Sequence, residues 1–383
     1  MSEVLAGAPD EVVTNAILRM VSLSPFGHNG ELALITLDNG ADHTRPNTFG
    51  PASLNALSSA IDKAQKTDAV AIAVTGKPFI FAAGADLSGV GAVKDISVAT
   101  AFGDLGHEVF LKLHESKKPT FAFINGLALG GGLEVGLNCH YRTLASTAFT
   151  GLPECFLGLV PGWGGATLLP KLIGPENAVQ VIILNSLNNN TMMKAKDALK
   201  LGVVDAMFDP ADFLERSIGF AVGILNGTTK IERADYSNDP AWESALATGK
   251  AAALKKYGGA TIASPMKALE LIAAARSNTL GQGFDAEDQV LSDLTMSDPL
   301  RSSLYAFNLI QKKRKKVEGA PKPALARKVT KVGVVGAGLM ASQLALLLVR
   351  NLKCPVVMTD IDQARADKGV AWVKNELAKL VEK

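Results

Sequence analysis

FINGLALGGGLEVGLNCHYRTLASTAFTGLPECFLGLVPGWGGATLLPKLIG, residues 123–174, holds the glycine turns and acidic side chains from which the rest of the chain is interpreted. Its first residues have the composition of a buried strand that ends in an Asn-Gly turn, and three glycines at 130–132 then precede a helix. Glycine lets a backbone pass close to a ligand, and the first amides of a helix have no intrahelical partner. Together with the helix dipole, they predict a binding site for an oxyanion.

Two glutamates in this stretch are candidate acid–base residues. Glu134 lies in the first turn after the glycines, and Glu154 follows in a Leu-Pro-Glu loop. Both have apolar neighbours, so burial is expected to raise a carboxyl pKa and to let one residue act as acid and the other as base. Each also has an ordinary alternative, since a helix-start glutamate is usually a cap and a glutamate after proline usually lies in a surface loop.

Composition bounds the class of protein. The 383 residues exceed one usual domain, and 39 basic against 37 acidic residues give a net charge of +2, which offers no electrostatic case for nucleic acid. The three cysteines have no metal-like spacing, so we expect no metal site and a reducing compartment. Without a signal peptide or an apolar run of about 18 residues, the sequence predicts a soluble, cytoplasmic protein with no membrane span.

Strands and helices alternate up to about residue 210, which favours an α/β fold with repeated ββα or βαβ units around a buried sheet. The predicted strands are 31–37, 69–76, 118–126 and 141–146, and the predicted helices are 52–66, 97–116, 133–139 and 166–174. The segment KPFIFAAGADL (77–87) is predicted as a loop. An all-α segment follows, with helices at 240–256, 264–276, 285–296 and 300–316.

The motifs resemble those of a known family. INGLALGGGLEVGLNC, with GLPECFLGLVPGWGG behind it, resembles the crotonase superfamily signature, and FAAGADL (81–87) resembles that family's other oxyanion loop. The likeness is greatest to the multifunctional fatty-acid oxidation enzymes, which join an enoyl-CoA hydratase to an NAD-dependent 3-hydroxyacyl-CoA dehydrogenase. It implies a crotonase-type ββα spiral core over 1–226, a helical linker over 227–326 and a partial Rossmann NAD-binding domain over 327–383.

The resemblance also implies roles for individual residues. The backbone amides of Ala85 and Gly131 would bind the thioester oxygen of an acyl-CoA, and Glu134 and Glu154 would hold a water between them. Which glutamate is acid and which is base stays open, because the pair titrates as a unit. The remaining expected substrate-binding residues are Ala83, Asp86, Gly130, Trp163, Phe307 and Lys312. For Trp163 simple packing is the alternative, and for Lys312 a solvated basic helix end.

The implied activity is hydration of a 2-enoyl-CoA in fatty-acid β-oxidation. Because both acids are present, hydratase is favoured over a 3-enoyl/2-enoyl-CoA isomerase or a non-catalytic acyl-CoA-binding subunit. A thiolase subunit and a homo-oligomer are the partners that the resemblance suggests.

A second glycine turn follows the linker. Gly336, Gly338 and Ala341 lie between a strand and a helix, and Asp360 ends the next strand. That context fits a dinucleotide fingerprint in which Asp360 binds an adenine-ribose hydroxyl, so NAD is the expected cofactor. An ordinary strand–helix turn is the alternative.

A working dehydrogenase is not expected from this chain alone. All five histidines precede residue 141, whereas the family's dehydrogenase needs one well beyond the fingerprint. Two strands and two helices also cannot bury both faces of a parallel sheet. We therefore expect a truncated piece without hydride-transfer activity, and NAD-dependent oxidation of a 3-hydroxyacyl-CoA would disprove this.

Overall fold

The computed structural model describes residues 11–87, 89–90, 93–310, 319–321 and 323–381, and the chain divides into two compact units, 1–312 and 313–383. The strands are β1 (Asn15–Ser22), β2 (Glu31–Asp38), β3 (Ala71–Gly76), β4 (Ile80–Ala82), β5 (Thr120–Ile124), β6 (Leu127–Leu129), β7 (Tyr141–Ala145), β8 (Phe149–Gly151), β9 (Met193–Lys194), β10 (Ala206–Phe208), β11 (Val332–Val335) and β12 (Val356–Thr359). The helices are α1 (Pro51–Lys66), α2 (Ile96–His114), α3 (Gly131–Leu137), α4 (Glu154–Leu157), α5 (Gly165–Ile173), α6 (Pro175–Val179), α7 (Asn185–Leu187), α8 (Ala195–Lys200), α9 (Phe213–Leu225), α10 (Trp242–Lys256), α11 (Ala263–Ala275), α12 (Leu280–Thr295), α13 (Asp298–Asn308), α14 (Leu339–Leu352) and α15 (Gln363–Val381).

Two sheets form the first unit. The larger has the order β1-β2-β3-β5-β7-β10 and is parallel except for β1, which pairs antiparallel with β2. The smaller has the order β4-β6-β8-β9. Successive β3-β4-α2, β5-β6-α3 and β7-β8-α4 units each place one strand in the larger sheet and the next in the smaller sheet. This repeated ββα arrangement confirms the predicted α/β spiral core.

The strands of the larger sheet are buried in its centre and half-exposed at its edge. Every residue of β3 and β5 is buried, as expected for parallel strands covered on both faces, whereas β1 alternates between exposed and half-buried residues. Large apolar side chains, including Phe49, Phe81 and Phe110, fill the space between sheet and helices. The sheet therefore gives a rigid platform for the turns that follow its strands.

Helices α10 to α13 belong to the same compact unit as the spiral core. α12 packs on α2 and α5, and α11 also packs on α5. At the start of α12, the Thr279 hydroxyl accepts a hydrogen bond from the Gln282 amide, and the Gln282 side chain accepts one from the Thr279 amide. This reciprocal cap fixes where the helix begins.

The second unit is a strand–helix–strand–helix segment. β11 and β12 pair in parallel, and α14 and α15 pack on each other and on the strands. Val335, Leu339 and Met340 are more than two-thirds exposed. Across the described part of the chain, no helix is both long enough and apolar enough to cross a membrane.

The structure corrects several element predictions. Residues 80–82 of the predicted loop form β4, and Glu154 begins the short helix α4 rather than lying in a loop. The helix predicted over 285–296 begins at Leu280, because Thr279 and Gln282 form a capping pair that the prediction did not use. β1 was not predicted. Of the helix predicted over 300–316, residues 311–316 lie outside the described residues.

Candidate active site

The glycine turn between β6 and α3 brings three backbones together. Gly130 has φ 53° and ψ −128°, a conformation that residues with a side chain rarely adopt, and its N–H donates to Gly151 O at 2.9 Å. A Cβ on Gly132 would overlap the Ala82 carbonyl, so α3 begins directly against β4. The Gly131 amide is the first of α3 and has no intrahelical acceptor.

The loop after β4 lies against this turn. Phe49 N donates to Gly84 O and Asp86 N donates to Phe49 O, both at 2.9 Å. In such a parallel bridge the amide of the residue between them, Ala85, points away from Phe49. A Cβ on Gly84 would lie 3.4 Å from the Gly131 nitrogen, so the main chains that carry the two predicted oxyanion donors are close neighbours.

Glu134 projects from the first turn of α3 and is 2% exposed. Its Oε1 accepts hydrogen bonds from Trp163 N and Gly165 N, both at 2.8 Å. Burial and the charge of Glu287 raise the pKa of Glu134 to about 7, against the opposing effect of the two amides. Near neutral pH this carboxyl can therefore be ionised or protonated at small cost.

Glu154 begins α4 on the other side of the glycine turn. A Cβ on Gly130 would overlap Glu154 Oε1, so this carboxyl lies directly over the turn. Its Oε2 is buried and has no hydrogen-bond partner among the residues that the structure describes. Burial and the charge of Glu134 raise the pKa of Glu154 well above its ordinary value, which favours the protonated carboxyl.

The two glutamates are therefore close enough to interact, yet their surroundings differ. Two main-chain amides stabilise the anion of Glu134, whereas Glu154 has a buried oxygen without a donor. Such a pair can supply one base and one acid at the same pH. The sequence predicted both residues but did not distinguish their environments.

Trp163 is buried at 3% exposure and packs between the helices that surround the site. Its ring makes edge contacts with Phe102 and Phe110, at centroid distances of 5.2 and 5.5 Å. A Cβ on Gly106 would overlap the indole, and one on Gly131 would lie 2.6 Å from it. The described contacts of Trp163 are therefore packing contacts within the protein, and its contact with an acyl chain stays a prediction.

The other predicted substrate-binding residues are placed as follows. Ala83 donates its amide to Asn47 O at 2.8 Å and, like Asp86, fixes the loop after β4 through the main chain. Phe307 is half-buried on α13, which packs on α4, the helix that Glu154 begins. Lys312 lies outside the described residues.

One part of the site was missed from the sequence. Glu287 of α12 is fully buried and accepts hydrogen bonds from Gly164 N and Thr167 N, next to the amides that bind Glu134. His107 of α2 contacts Glu287 at 3.1 Å. A signal existed, because Glu287 shares the apolar helix face of Phe284 and Leu294, where an unpaired acid would be costly. The surroundings of Glu134 are therefore less apolar than predicted.

A cavity of about 740 Å³ opens at the other end of α3, away from both glutamates. Its lining includes Lys171 and Arg233. Lys171 Nζ donates to Asn278 O at 2.9 Å and Arg233 pairs with Asp205 at 2.6 Å, so protein groups already engage both cations. We therefore consider the glutamate pair, rather than this cavity, as the centre of chemistry.

The second glycine turn joins β11 to α14. Gly336 has φ 103° and its amide donates to Thr359 O at 2.7 Å, while Gly338 precedes the first residue of α14. A Cβ on Gly336 would lie 3.6 Å from that of Ala341. Asp360 follows β12, and its carboxylate accepts from Ile361 N and Ala337 N, which hold its pKa below the ordinary value.

Comparison with known proteins identifies the family of the first unit. The family described as enoyl-CoA hydratase/isomerase matches residues 27–257, more than half of the chain. The chain belongs to the enoyl-CoA hydratase/isomerase family. A second family, described as the NAD-binding domain of 3-hydroxyacyl-CoA dehydrogenase, matches residues 331–383.

Curated relatives combine both regions. The chain is 34% identical to a fatty acid oxidation complex subunit alpha of Idiomarina loihiensis, over 88% of this chain and 47% of that protein. It is 31% identical to the peroxisomal fatty acid beta-oxidation multifunctional protein MFP2 of Arabidopsis thaliana, over 83% of this chain and 44% of that one. The chain thus spans about half the length of the curated relatives that it matches.

Solved structures share the fold of the first unit. The human mitochondrial delta3-delta2-enoyl-CoA isomerase is 19% identical with a TM-score of 0.54, over 78% of this chain and 99% of that one. An enoyl-CoA hydratase from Bacillus halodurans has the same identity and TM-score, over 76% and 99%. Hydratase and isomerase therefore share this fold, and the choice between them depends on the side chains of the site.

Proposed function

We propose that the chain adds water to the double bond of a trans-2-enoyl-CoA to give a 3-hydroxyacyl-CoA, as one step of fatty-acid β-oxidation. The observation that carries the proposal is the unequal pair of buried carboxyls beside the glycine turn. Glu134 has two main-chain donors on one oxygen, and Glu154 has an oxygen with none. Hydration needs both a base and an acid, and membership of the enoyl-CoA hydratase/isomerase family supplies the acyl-CoA substrate class.

The proton inventory follows from the two environments. The ionised Glu134 accepts a proton from water as the water oxygen forms a bond to Cβ, and the π electrons move toward the thioester carbonyl. Protonated Glu154 then donates its proton to Cα, which leaves Glu154 ionised and Glu134 protonated. Transfer of one proton from Glu134 to Glu154, through the next water, restores the starting state.

Charge on the thioester oxygen is stabilised by main-chain amides. The enolate formed during addition would accept hydrogen bonds from Ala85 N, in the loop after β4, and from Gly131 N, at the glycine turn that begins α3. Removing one donor from such a site typically costs about 10²–10³-fold in kcat. Because the donors are backbone groups, the two loops must keep their conformation for the site to work.

Loss of the absorbance of crotonyl-CoA on addition of the pure chain tests this function. We expect hydration by the wild type and by the Glu215→Gln variant, which alters an exposed glutamate of α9. Faster turnover of a 3-enoyl-CoA than hydration of the 2-enoyl-CoA would instead support an isomerase. Tight binding of the thioester without turnover would support an acyl-CoA-binding subunit.

The second glycine turn fits the pyrophosphate of NAD. A Cβ on Gly338 would meet no atom within 4 Å, so a ligand can approach this backbone closely. Gly336, Gly338 and Ala341 would hold the pyrophosphate, and Asp360 would bind an adenine-ribose hydroxyl. NAD, when bound, supplies a hydride acceptor for a dehydrogenase. We do not expect oxidation of a 3-hydroxyacyl-CoA by this chain alone.

One relative is the alpha subunit of a fatty acid oxidation complex, which supports association of this chain with another subunit. We propose a thiolase subunit or a second copy of this chain as the partner, in the cytoplasm. Sedimentation of the pure chain, alone and with a thiolase, measures both associations.

A further inference from the structure

A histidine is held between two carboxylates beneath the site. His107 Nε2 lies 3.1 Å from Glu287 Oε2, and its Nδ1 lies 2.9 and 3.0 Å from the two oxygens of Asp288. The ring stacks on Phe284 with centroids 4.2 Å apart, and His107 and Glu287 are 5% and 0% exposed. α2 and α12 are therefore joined by a buried ionic cluster.

The carboxyl groups at both ring nitrogens favour the cationic form of His107, which can donate to each of them. A neutral imidazole has one donor and one acceptor nitrogen, and the acceptor would face a carboxylate without a proton between them. Burial opposes the charge, yet the hydrogen bonds to Asp288 and Glu287 raise the pKa of His107 to about 10. Asp104 of α2 also hydrogen-bonds Asp288, and burial together with the charge of Asp288 raises its pKa. The charge of Asp285 also raises the pKa of Asp104.

Glu287 extends this cluster to the turn before α5. Three consecutive amides alternate between two carboxylates: Trp163 N and Gly165 N donate to Glu134, and Gly164 N donates to Glu287 at 2.6 Å. Glu287 Oε1 also accepts from Thr167 N at 2.7 Å, which caps α5. The turn is thereby held from one side by α3 and from the other by α12.

The local backbone explains why this turn needs two anchors. Gly164 has φ 101°, and a Cβ there would approach Leu168 and Asn138 within 3.2 Å. A Cβ on Gly165 would lie 2.7 Å from Glu134 Oε1. Trp163 is fixed by the packing of its ring and by Asn138 Nδ2, which donates to its carbonyl at 3.1 Å. Gly164 and Gly165 contribute no side chain, so the conformation at these two positions depends on the carboxylates that their amides bind.

We infer that Glu287, paired with His107, is a positioning residue that holds turn 163–165 so that two of its amides face Glu134. The inference rests on the proposed function, in which Glu134 takes the proton of water. The buried carboxylate of Glu287 would be costly beside Glu134 if it had no cationic partner, and the imidazolium of His107 offsets its charge. Helix α12 thus contributes to catalysis without touching the substrate.

The charge of Glu287 also acts directly on Glu134. It is second only to burial in raising the Glu134 pKa, ahead of the opposing amides, while the His107 cation lowers that pKa. Loss of either partner should therefore move the acid limb of the kcat/KM profile, and in opposite directions. A residue with a purely structural role would lower the amount of folded protein without such a pair of shifts.

The first test is Glu287→Gln. The glutamine side chain has a nitrogen in place of one carboxylate oxygen, so it can no longer accept hydrogen bonds from both Gly164 N and Thr167 N. Because the turn loses one of these hydrogen bonds, we expect kcat to fall about tenfold to a hundredfold. KM for crotonyl-CoA should stay within about twofold, because Glu287 does not touch substrate. The acid limb should move to lower pH. Asp293→Asn, an exposed carboxylate-to-amide change on the same helix, is the matched control and should match the wild type.

The second test is His107→Gln, which also serves if Glu287→Gln does not fold. Two main-chain amides still donate to Glu287 in this variant, so its side chain stays beside Glu134 while the neighbouring imidazolium is lost. We then expect a lower kcat with the acid limb at higher pH. Wild-type kcat and pH profiles in both variants, or shifts of the same sign, would overturn the inference.

An activity-free measurement separates this inference from the proposed function. The carboxyl signal of Glu134 in ¹³C NMR spectra, assigned against Glu134→Gln, should titrate at lower pH in Glu287→Gln and at higher pH in His107→Gln. If the wild type does not hydrate crotonyl-CoA, the proposed function fails, and this titration still decides whether the pair acts on Glu134. If the wild type hydrates but the Glu134 titration is unchanged, only the inference fails.

Discussion

The glycine turns before α3 and before α14 share a local pattern but have opposite electrostatics. The first lies between buried carboxyls, where burial raises the pKa of Glu134 to about 7. Beside the second, hydrogen bonds from Ile361 N and Ala337 N lower the pKa of Asp360. A glycine turn at a helix start therefore supplies donors in both places, and the depth at which the neighbouring acid lies determines whether that acid can exchange protons near neutral pH.

The largest effect should distinguish the acids of the two turns. Glu134→Gln and Glu154→Gln keep the side-chain volume but remove a proton-transfer group, so each should lower kcat for crotonyl-CoA by about 10²–10⁴-fold. Asp360→Asn, the same chemical change beside the second turn, should leave hydration unaltered. A wild-type rate in either glutamine variant would contradict the acid–base roles proposed for the pair.

The next effect concerns the backbone of the first turn. In Gly131→Ala the new Cβ would lie 2.6 Å from the Trp163 ring, which cannot retreat because it already abuts Gly106. Displacement of the Gly131 amide from the thioester oxygen should lower kcat by about 10²-fold. Gly219→Ala, where a helical Cβ meets nothing within 4 Å, should retain full activity. Equal rates for the two alanine variants would mean that the turn tolerates the shift.

Much of this comparison could be predicted from the sequence. The alternation of buried strands and amphipathic helices indicated ββα or βαβ units around a sheet. The spiral core and the roles of the site residues came from the resemblance of 81–87 and 123–174 to the crotonase motifs. The interaction between Glu287 and the turn at Gly164 could not be predicted, because 123 residues separate partners that only tertiary packing brings together. Glu154 was placed in a loop because a four-residue helix has too short a period to recognise.

The start of α12 shows a different kind of miss. Thr279 and Gln282 form a capping pair whose pattern is visible in the sequence, so the error at Leu280 came from overlooking local chemistry and not from missing tertiary information. Had that start been recognised, the apolar face carrying Phe284 and Leu294 would have shown Glu287 as a buried acid. Buried acids on apolar helix faces are therefore worth seeking as partners of a predicted site.

Stability against pH should distinguish the two turns by sign. The folded pKa of Glu134, about 7, exceeds its unfolded value near 4.5, so its contribution is full below about pH 4.5 and is lost as the pH rises through 7. The loss approaches roughly 3 kcal/mol above pH 8. Glu134→Gln should accordingly gain stability over the wild type at pH 8 and little at pH 5, as measured by urea unfolding.

The Asp360→Asn variant should show the reverse dependence. The folded pKa of Asp360 is lowered, so its contribution is present above the unfolded pKa and is lost as the pH falls through the folded value. The variant should be less stable than the wild type at pH 7 and similar to it in strong acid. If the stability of both variants relative to the wild type changed in the same direction with pH, the two turns would not differ in their electrostatics as proposed.

The smallest effect on the fold should come from Gly338→Ala. Gly338 has φ −69°, which any residue adopts, and its Cβ would meet no atom within 4 Å, so the melting temperature should change by less than about 2 °C. In Gly131→Ala the new methyl group clashes with Trp163 of the protein itself, whereas a methyl group at Gly338 can clash only with a bound ligand. NAD binding measured by calorimetry should therefore weaken in Gly338→Ala while unfolding does not change. Equal NAD affinity in wild type and variant would show that the second turn is an ordinary strand–helix connection. Only the first of the two glycine turns would then be part of a binding site.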